Sequence, residues 1–553
     1  MSHDLHVSGD GPPREGTMRE SIVRRFAAAR DGRLGTPRAA FWLSFGILFV
    51  ITAMWSLANP LMGVVDEGSH TVKAAASARL QFTGDETGLP SGNGTFRVPE
   101  LFDQALTLPN CFAFSPGTSA QCQQDLEGDL AAVTDVPTSA ARYNPIYYAI
   151  VGIPSLFPTG EATLYLMRLA SGLLSAALLA SAFRAVAEMQ RRSWLMLGLL
   201  LTITPTVVNL ASAINPQSVE IAGAIGLWVS LLALVRAPDP DLLHRRLIRL
   251  AIISVLFVNS RALSPFFLAV IVLTVVLSAP WANVKAVVTD RRSWPYLSIA
   301  FVGTVAAVVW IRAVGGLSNS GEILYPELTP TRVIGDTLQQ TAYYFESLVG
   351  VFGWLDSRMP QWSYLLFAAV LGVMVVIGWS LANFRNKLVL LGLGGLTLLL
   401  PAALQASQAP YVGIVWQGRY IAPLAVGIVI LAAFSARDGR LGVPERFARS
   451  LVGTVGILLV VGHVAAYAAN LHRFVNGSGT SWLRLHSESW SPPILPGILL
   501  GLCAVAWAAL AWFAWSMCAE RRPDALPGAR DPRPAIESAV PGDSLPSQAV
   551  PSR

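Results

Sequence analysis

The sequence predicts an all-α polytopic membrane protein of about twelve transmembrane helices, with a long first outer loop that carries juxtamembrane helices. Two observations support this. Hydrophobic residues make up 53% of the 553-residue chain and charged residues only 13%, against roughly 25% charged in soluble domains; mean hydropathy is +0.51. Apolar runs of about 17–25 residues recur along nearly the whole chain, each long enough to cross a hydrocarbon core of roughly 30 Å as a helix. Backbone crossing lipid must satisfy its own hydrogen bonds, so these runs read as helices, not strands.

Residues 1–39 hold seven Arg and no Lys among several Gly and Pro. Too long and polar for a cleaved signal, they read as a disordered cytoplasmic N-terminal tail. A transmembrane domain, 40–518, follows, with spans at 40–59, 162–183, 193–212, 216–236, 247–260, 262–280, 295–314, 361–383, 387–404, 419–435, 450–470 and 495–518. Residues 519–553, rich in Pro, Ser and Arg, read as a second disordered cytoplasmic tail.

With the N-terminus inside, Arg184, Arg191, Arg192, Arg236, Arg245, Arg246, Lys285, Arg291, Arg385 and Arg437 all fall in cytoplasmic loops. The first outer loop, 60–144, carries ten acidic residues against four basic ones, Lys73, Arg79, Arg97 and Arg142. The net charge of +6 is spread over short loops, with no basic patch interleaved with aromatics, which argues against a nucleic-acid partner.

The short segment "YNPIYYAIVGIPSLFP", 143–158, reads as a re-entrant or interfacial helix, with Tyr143, Tyr147 and Tyr148 at headgroup level. Cys111 and Cys122 share the first outer loop, either as a disulfide or as two free thiols. Three outer segments, 60–144, 315–360 and 471–494, are long enough to build a site, so the functional face is expected outside.

There, "VVDEGSHTVKAAASARL" follows the first span. A helix starting soon after Pro60 places Asp66, His70 and Lys73 on one face, with Ala74, Ala75, Ala76 and Leu80 for packing. A carboxylate at the edge of low dielectric can act as a general base, and Asp66 with His70 can share a divalent cation, Mg or Mn. The pair Asp66–Glu67 also suits a first helical turn as a dipole partner. Arg168, Glu220, Arg261, Arg312 and Arg419 cluster at outer span ends, unlike the midplane charges of a secondary transporter. "EILYPEL" brings Glu322, Tyr325 and Glu327, and "FGWLDSRMP" brings Trp354, Asp356 and Arg358, where a ring and a carboxylate suit a sugar or an interfacial anchor. In "WQGRYIAPL", Arg419 can grip a phosphate or snorkel to headgroups. No nucleotide motif appears, so the energy for any reaction must come with the substrate.

In order along the chain, "NPLMGVVDEGSH", "YNPIYYAIVGIP", "TPTVVNLASAINPQS", "FGWLDSRMP" and "QGRYIAPL" resemble the signature blocks of a bacterial membrane-protein family catalogued as domain of unknown function 2142, over roughly residues 40–470. That family is grouped with the C-type membrane glycosyltransferases, which use a polyprenyl-phosphate sugar at the outer membrane face. The resemblance implies Asp66 as catalytic base with Glu67 as a second carboxylate. It also places Arg419 and Tyr420 near the donor phosphate. His70, Tyr143, Asn144, Trp354, Asp356 and Arg358 complete the candidate substrate-binding set. The implied protein lies in the inner membrane and transfers a hexosyl or pentosyl group from a polyprenyl-phosphate-linked donor to an envelope glycan or lipid acceptor. The competing reading is a non-enzymatic carrier or scaffold for lipid-linked glycans.

Overall fold

Thr36 starts the first membrane helix: its hydroxyl accepts the Ala39 N–H at 3.3 Å, and Pro37 takes the first helical position, where the missing N–H is not needed. The computed structural model describes residues 36–87, 92–157, 160–318, 323–439, 443–481 and 490–518. The two expected tails, apart from 36–39, and Glu322 lie outside the described residues.

Helix α1 (Pro37–Ala58) leads into the first loop, which holds α2 (Glu67–Ala78), β1 (Gly94–Pro99), α3 (Glu100–Thr107), β2 (Val133–Thr138) and α4 (Pro145–Val151). There follow α5 (Glu161–Ala187), α6 (Ser193–Thr202), α7 (Pro205–Ala211), α8 (Pro216–Arg236), α9 (Leu243–Val258), α10 (Ser264–Ser278), α11 (Trp281–Thr289) and α12 (Trp294–Ala313). A second long loop carries α13 (Pro330–Gln339), α14 (Thr341–Gly350) and a small hairpin of β3 (Val351–Phe352) and β4 (Ser357–Arg358). Helices α15 (Gln361–Leu381), α16 (Phe384–Val412), α17 (Ala422–Asp438), α18 (Glu445–Asn476) and α19 (Pro496–Met517) complete the described chain.

Among the described residues nine helices are long and apolar enough to cross a membrane, or ten if the bent pair α6–α7 is one span. The expected span 193–212 bends by 63°, because Pro205 has no N–H to continue the ladder and its ring disfavours a helical Thr204. The expected spans 247–260 and 262–280 become helices of 16 and 15 residues, short of the roughly 20 needed to cross. By length and composition alone, nine or ten of the expected twelve are long and apolar enough to cross. Helix α18 also runs on to Asn476, so the segment 471–494 begins as helix.

Helix α8 is the centre of the bundle, packed by α5, α9, α10 and α17; 94% of its apolar window is buried, against 6% for α12. Helix α12 rests on α9 and turns Phe301, Val302 and Val309 outward, as a lipid-facing helix does. Lipid offers no hydrophobic drive between helices, so close approach of small residues supplies the packing. A Cβ on Gly427 would fall on the Trp228 indole, whose Nε1 donates to the Pro423 carbonyl at 2.9 Å.

In the first loop β1 and β2 pair antiparallel with Phe96 opposite Val136, both buried. Cys111 and Cys122 form a disulfide. The described part of this segment, 143–157, holds only short helix, and two of its three tyrosines are not headgroup anchors: Tyr147 and Tyr148 are buried, on an α4 that packs on α2. The close approach depends on Gly152, where a Cβ would fall on the Ala74 carbonyl.

Candidate functional site

The backbone between α1 and α2 sorts the two adjacent carboxylates. Arg168 on α5 reaches the end of α1 and donates to the carbonyls of Ser56, Asn59 and Pro60 at 2.7–3.0 Å, satisfying acceptors that a helix C-terminus leaves open. The same guanidinium grips Glu67 through two 2.6 Å bonds, and both side chains are almost fully buried. Asp66, held at φ 66°, points the other way with its side chain 47% exposed. The helix begins only at Glu67, so the expected shared face of Asp66, His70 and Lys73 does not form. Lys73 is buried and donates to the carbonyls of Phe82 and Ala141 at 2.6 and 2.8 Å.

Asp66 Oδ2 accepts from Arg419 at 2.9 Å, across 353 residues of chain. Arg419 is carried on a 3-10 turn, Gly418–Ile421, that feeds α17. The turn is seated by Gly418 N donating to Ser347 Oγ at 2.7 Å and by Gln217 Nε2 donating to the Arg419 carbonyl at 3.1 Å. Only glycine fits at 418, since a Cβ would fall on the Tyr344 carbonyl. The Tyr420 ring faces two guanidinium groups, Arg261 at 4.8 Å and Arg419 at 5.4 Å.

His70 lies behind Asp66, its Nδ1 2.8 Å from the Tyr148 hydroxyl and its ring edge-on to Tyr143. Burial, partly opposed by Asp66 and reinforced by Arg261 and Arg419, drives its pKa from 6.5 down to about 3. At neutral pH His70 is thus an uncharged hydrogen-bonding group. Burial likewise raises the Tyr143 and Tyr148 hydroxyls above their ordinary range. Asn144 caps α4 through Ile146 N and donates to Asn259 at 2.8 Å.

Of these residues Tyr143, Asn144, Arg261 and Tyr420 line a cavity of about 260 Å³, with Glu220 and Trp416 completing its polar side, while Asp66, His70 and Arg419 are not in its wall. Its other wall is apolar and comes from α9, α10 and α12. Sequence reasoning noted Arg261 and Glu220 only as span-end charges. The signal was there: Arg261 separates two apolar runs with no acidic residue beside it in the chain.

Trp354, Asp356 and Arg358 do not line this cavity. Trp354 Nε1 donates to the Met62 carbonyl at 3.2 Å, Asp356 pairs with buried Arg473 at 2.7 Å, and exposed Arg358 lies 3.4 Å from Glu346. Arg473 also holds the carbonyls of Phe112, Ser115 and Thr118, clamping the disulfide loop to α18. The carboxylate of Asp356 and the indole N–H of Trp354 are both engaged by the chain itself, so this block serves as a structural joint away from the cavity. Arg473 was missed, though an Arg inside a long apolar pattern could have raised it.

The donor set does not fit a resident divalent cation. Among the described residues no group of three His, Cys, Asp or Glu side chains could hold a metal. Of the two donors suggested by spacing, Asp66 faces Arg419 and His70 Nδ1 is engaged by Tyr148.

A family model described as "Predicted membrane protein (DUF2142)" matches residues 49–428. No curated protein and no solved structure matches the chain.

Proposed function

Since the chain belongs to this family of predicted membrane proteins, DUF2142, we propose that it is a multi-pass membrane glycosyltransferase acting on a polyprenyl-phosphate sugar. The observation that carries this reading is the pairing of half-exposed Asp66 with Arg419, whose chain neighbour Tyr420 lines a cavity that joins charged and apolar walls. Counting α6–α7, α9 and α10 as crossings gives twelve spans, both termini on the cytoplasmic side and the two long loops outside.

In the proposed step an acceptor hydroxyl gives its proton to Asp66. Its oxygen bonds to the anomeric carbon as the bond from that carbon to the phosphate oxygen breaks. The electron pair leaves with polyprenyl phosphate, whose charge Arg419 stabilises. Glu67 positions Asp66 through the Arg168 clamp and takes no proton. Tyr143 and Tyr420, with Glu220, offer hydroxyl and carboxylate partners for the sugar, a role the sequence had given to Trp354 and Asp356. The acceptor is an envelope glycan or lipid.

The test is the full chain in liposomes made from its host's own lipid extract, with release of polyprenyl phosphate followed by mass spectrometry. Asp66→Asn is expected to slow release by about 10²–10⁴-fold, the usual worth of a positioned general base, with an unchanged melting temperature. Equal release by wild type and Asp66→Asn would remove Asp66 from the chemistry.

A further inference from the structure

Arg261 lies in the break between α9 and α10, and among the described residues no hydrogen bond or ion pair reaches its guanidinium. Its ring contact is the face of Tyr420 at 4.8 Å, and Tyr143, Glu220 and Asp66 are near enough to act on its charge without a hydrogen bond or ion pair. The other charges at the cavity have hydrogen-bonded partners. Glu220 accepts from Ser264 at 2.7 Å, Arg142 at the rim is bidentate to Glu86 at 2.6 and 2.8 Å, and Arg419 holds Asp66. The Arg261 side chain is half-buried, and a guanidinium that stands in a cavity wall without a hydrogen-bond acceptor can take an anion. Arg419 Nε, buried and unpaired, belongs to the second guanidinium facing Tyr420.

The rest of the cavity indicates what carries the anion. Phe267, Ala307, Ile311 and Leu317 make an apolar wall, and two of these come from α12, the helix most exposed to lipid. An anionic head beside Arg261 and an apolar tail along α12 describe an amphiphile lying partly in the bilayer. A free inorganic anion would leave that wall unused.

We propose that Arg261 is the phosphate ligand of this cavity and that the phosphate belongs to a lipid, which enters beside α12. The reading of the protein as a glycosyltransferase supplies only the identity of that lipid, the donor and its polyprenyl phosphate product; the site itself rests on the geometry. Arg261 thereby sets specificity for phosphate-bearing lipids, with Arg419 as its neighbour on the Asp66 side.

The experiment measures binding of farnesyl phosphate to the full chain in detergent, with farnesol and inorganic phosphate as the other arms. Farnesyl phosphate is expected to bind and farnesol not to. Arg261→Gln should weaken binding at least tenfold, and Arg261→Lys less. If Arg261→Gln does not fold, exposed Leu317 decides: Leu317→Glu should weaken binding through charge alone, while Leu317→Gln should not. Unchanged affinity in Arg261→Gln, or in Leu317→Glu where that variant decides, overturns the site. Inorganic phosphate binding as tightly as farnesyl phosphate overturns the lipid assignment. Glycosyl transfer that survives Arg261→Gln would sink this site and leave the catalytic reading standing. Arg261-dependent binding without any transfer by wild type would do the reverse.

Discussion

Glu67 is fully buried between two 2.6 Å bonds from Arg168, and removing one partner of such a pair strands a charge at about 3–5 kcal/mol. Glu67→Ala should therefore lower the melting temperature sharply and Asp66→Asn should not; matching losses in the two variants would show that the neighbours share one role. His70 adds a pH test. Folded, it stays neutral to about pH 3; unfolded, it protonates near 6.5. The unfolded chain thus binds more protons between those values, and the His70 contribution, complete above 6.5, is lost as pH falls towards 3. Melting curves from pH 7 to 4 should fall more steeply for wild type than for His70→Gln, and parallel curves would contradict a buried neutral imidazole. Asp66 and Arg419 were legible in the sequence as chemistry-bearing residues, yet their contact was not, because nothing local links residues 353 apart. Nor could spacing separate Asp66 from Glu67: the left-handed backbone at Asp66 turns one carboxylate out and the next one in.

At the scale of elements, the turn that presents Arg419 depends on one residue without a side chain. A Cβ at Gly418 meets the Tyr344 carbonyl, so Gly418→Ala must push the turn away from α14 and carry Arg419 off Asp66. Activity should fall about as far as in Arg419→Gln while the variant still inserts in the membrane; full activity would mean that the pair at 2.9 Å is incidental. The helices themselves were legible from apolar runs, since each long span starts close to its expected first residue, although α16 runs on to Val412 and α18 to Asn476. Breaks were less so. The break between the short α9 and α10 puts Arg261 in the cavity wall, and hydropathy reports only that a run pauses there. The partner of Asp356 was hidden for a related reason: its Trp and carboxylate suit a sugar in isolation, and only the fold brings Arg473 to the carboxylate.

For the whole molecule, α8 at the centre and α12 at the lipid-facing edge set a gradient of burial that ends at the cavity. Both long loops meet there, Arg142 of the first donating to the Gly315 carbonyl of the second at 3.3 Å; away from the cavity, Val65 N donates to the Gly353 carbonyl at 3.0 Å, which ties the Asp66 segment to the second loop. If that face is outside, Asp125→Cys should react with a membrane-impermeant maleimide in intact cells and Arg291→Cys, in the loop between α11 and α12, should not; the opposite labelling would invert the topology. Orientation was readable only from the arginine-rich loops, because the fold itself is indifferent to which side is which. The central claim is that Asp66 takes the acceptor proton. Its most direct test compares lipid-linked sugars and envelope glycans by mass spectrometry in cells carrying wild type, a deletion, or Asp66→Asn. The account predicts that the deletion and the point variant accumulate the same donor lipid and lose the same glycan. A point variant with wild-type glycans beside a deletion that lacks them would contradict it and leave a carrier or scaffold in its place.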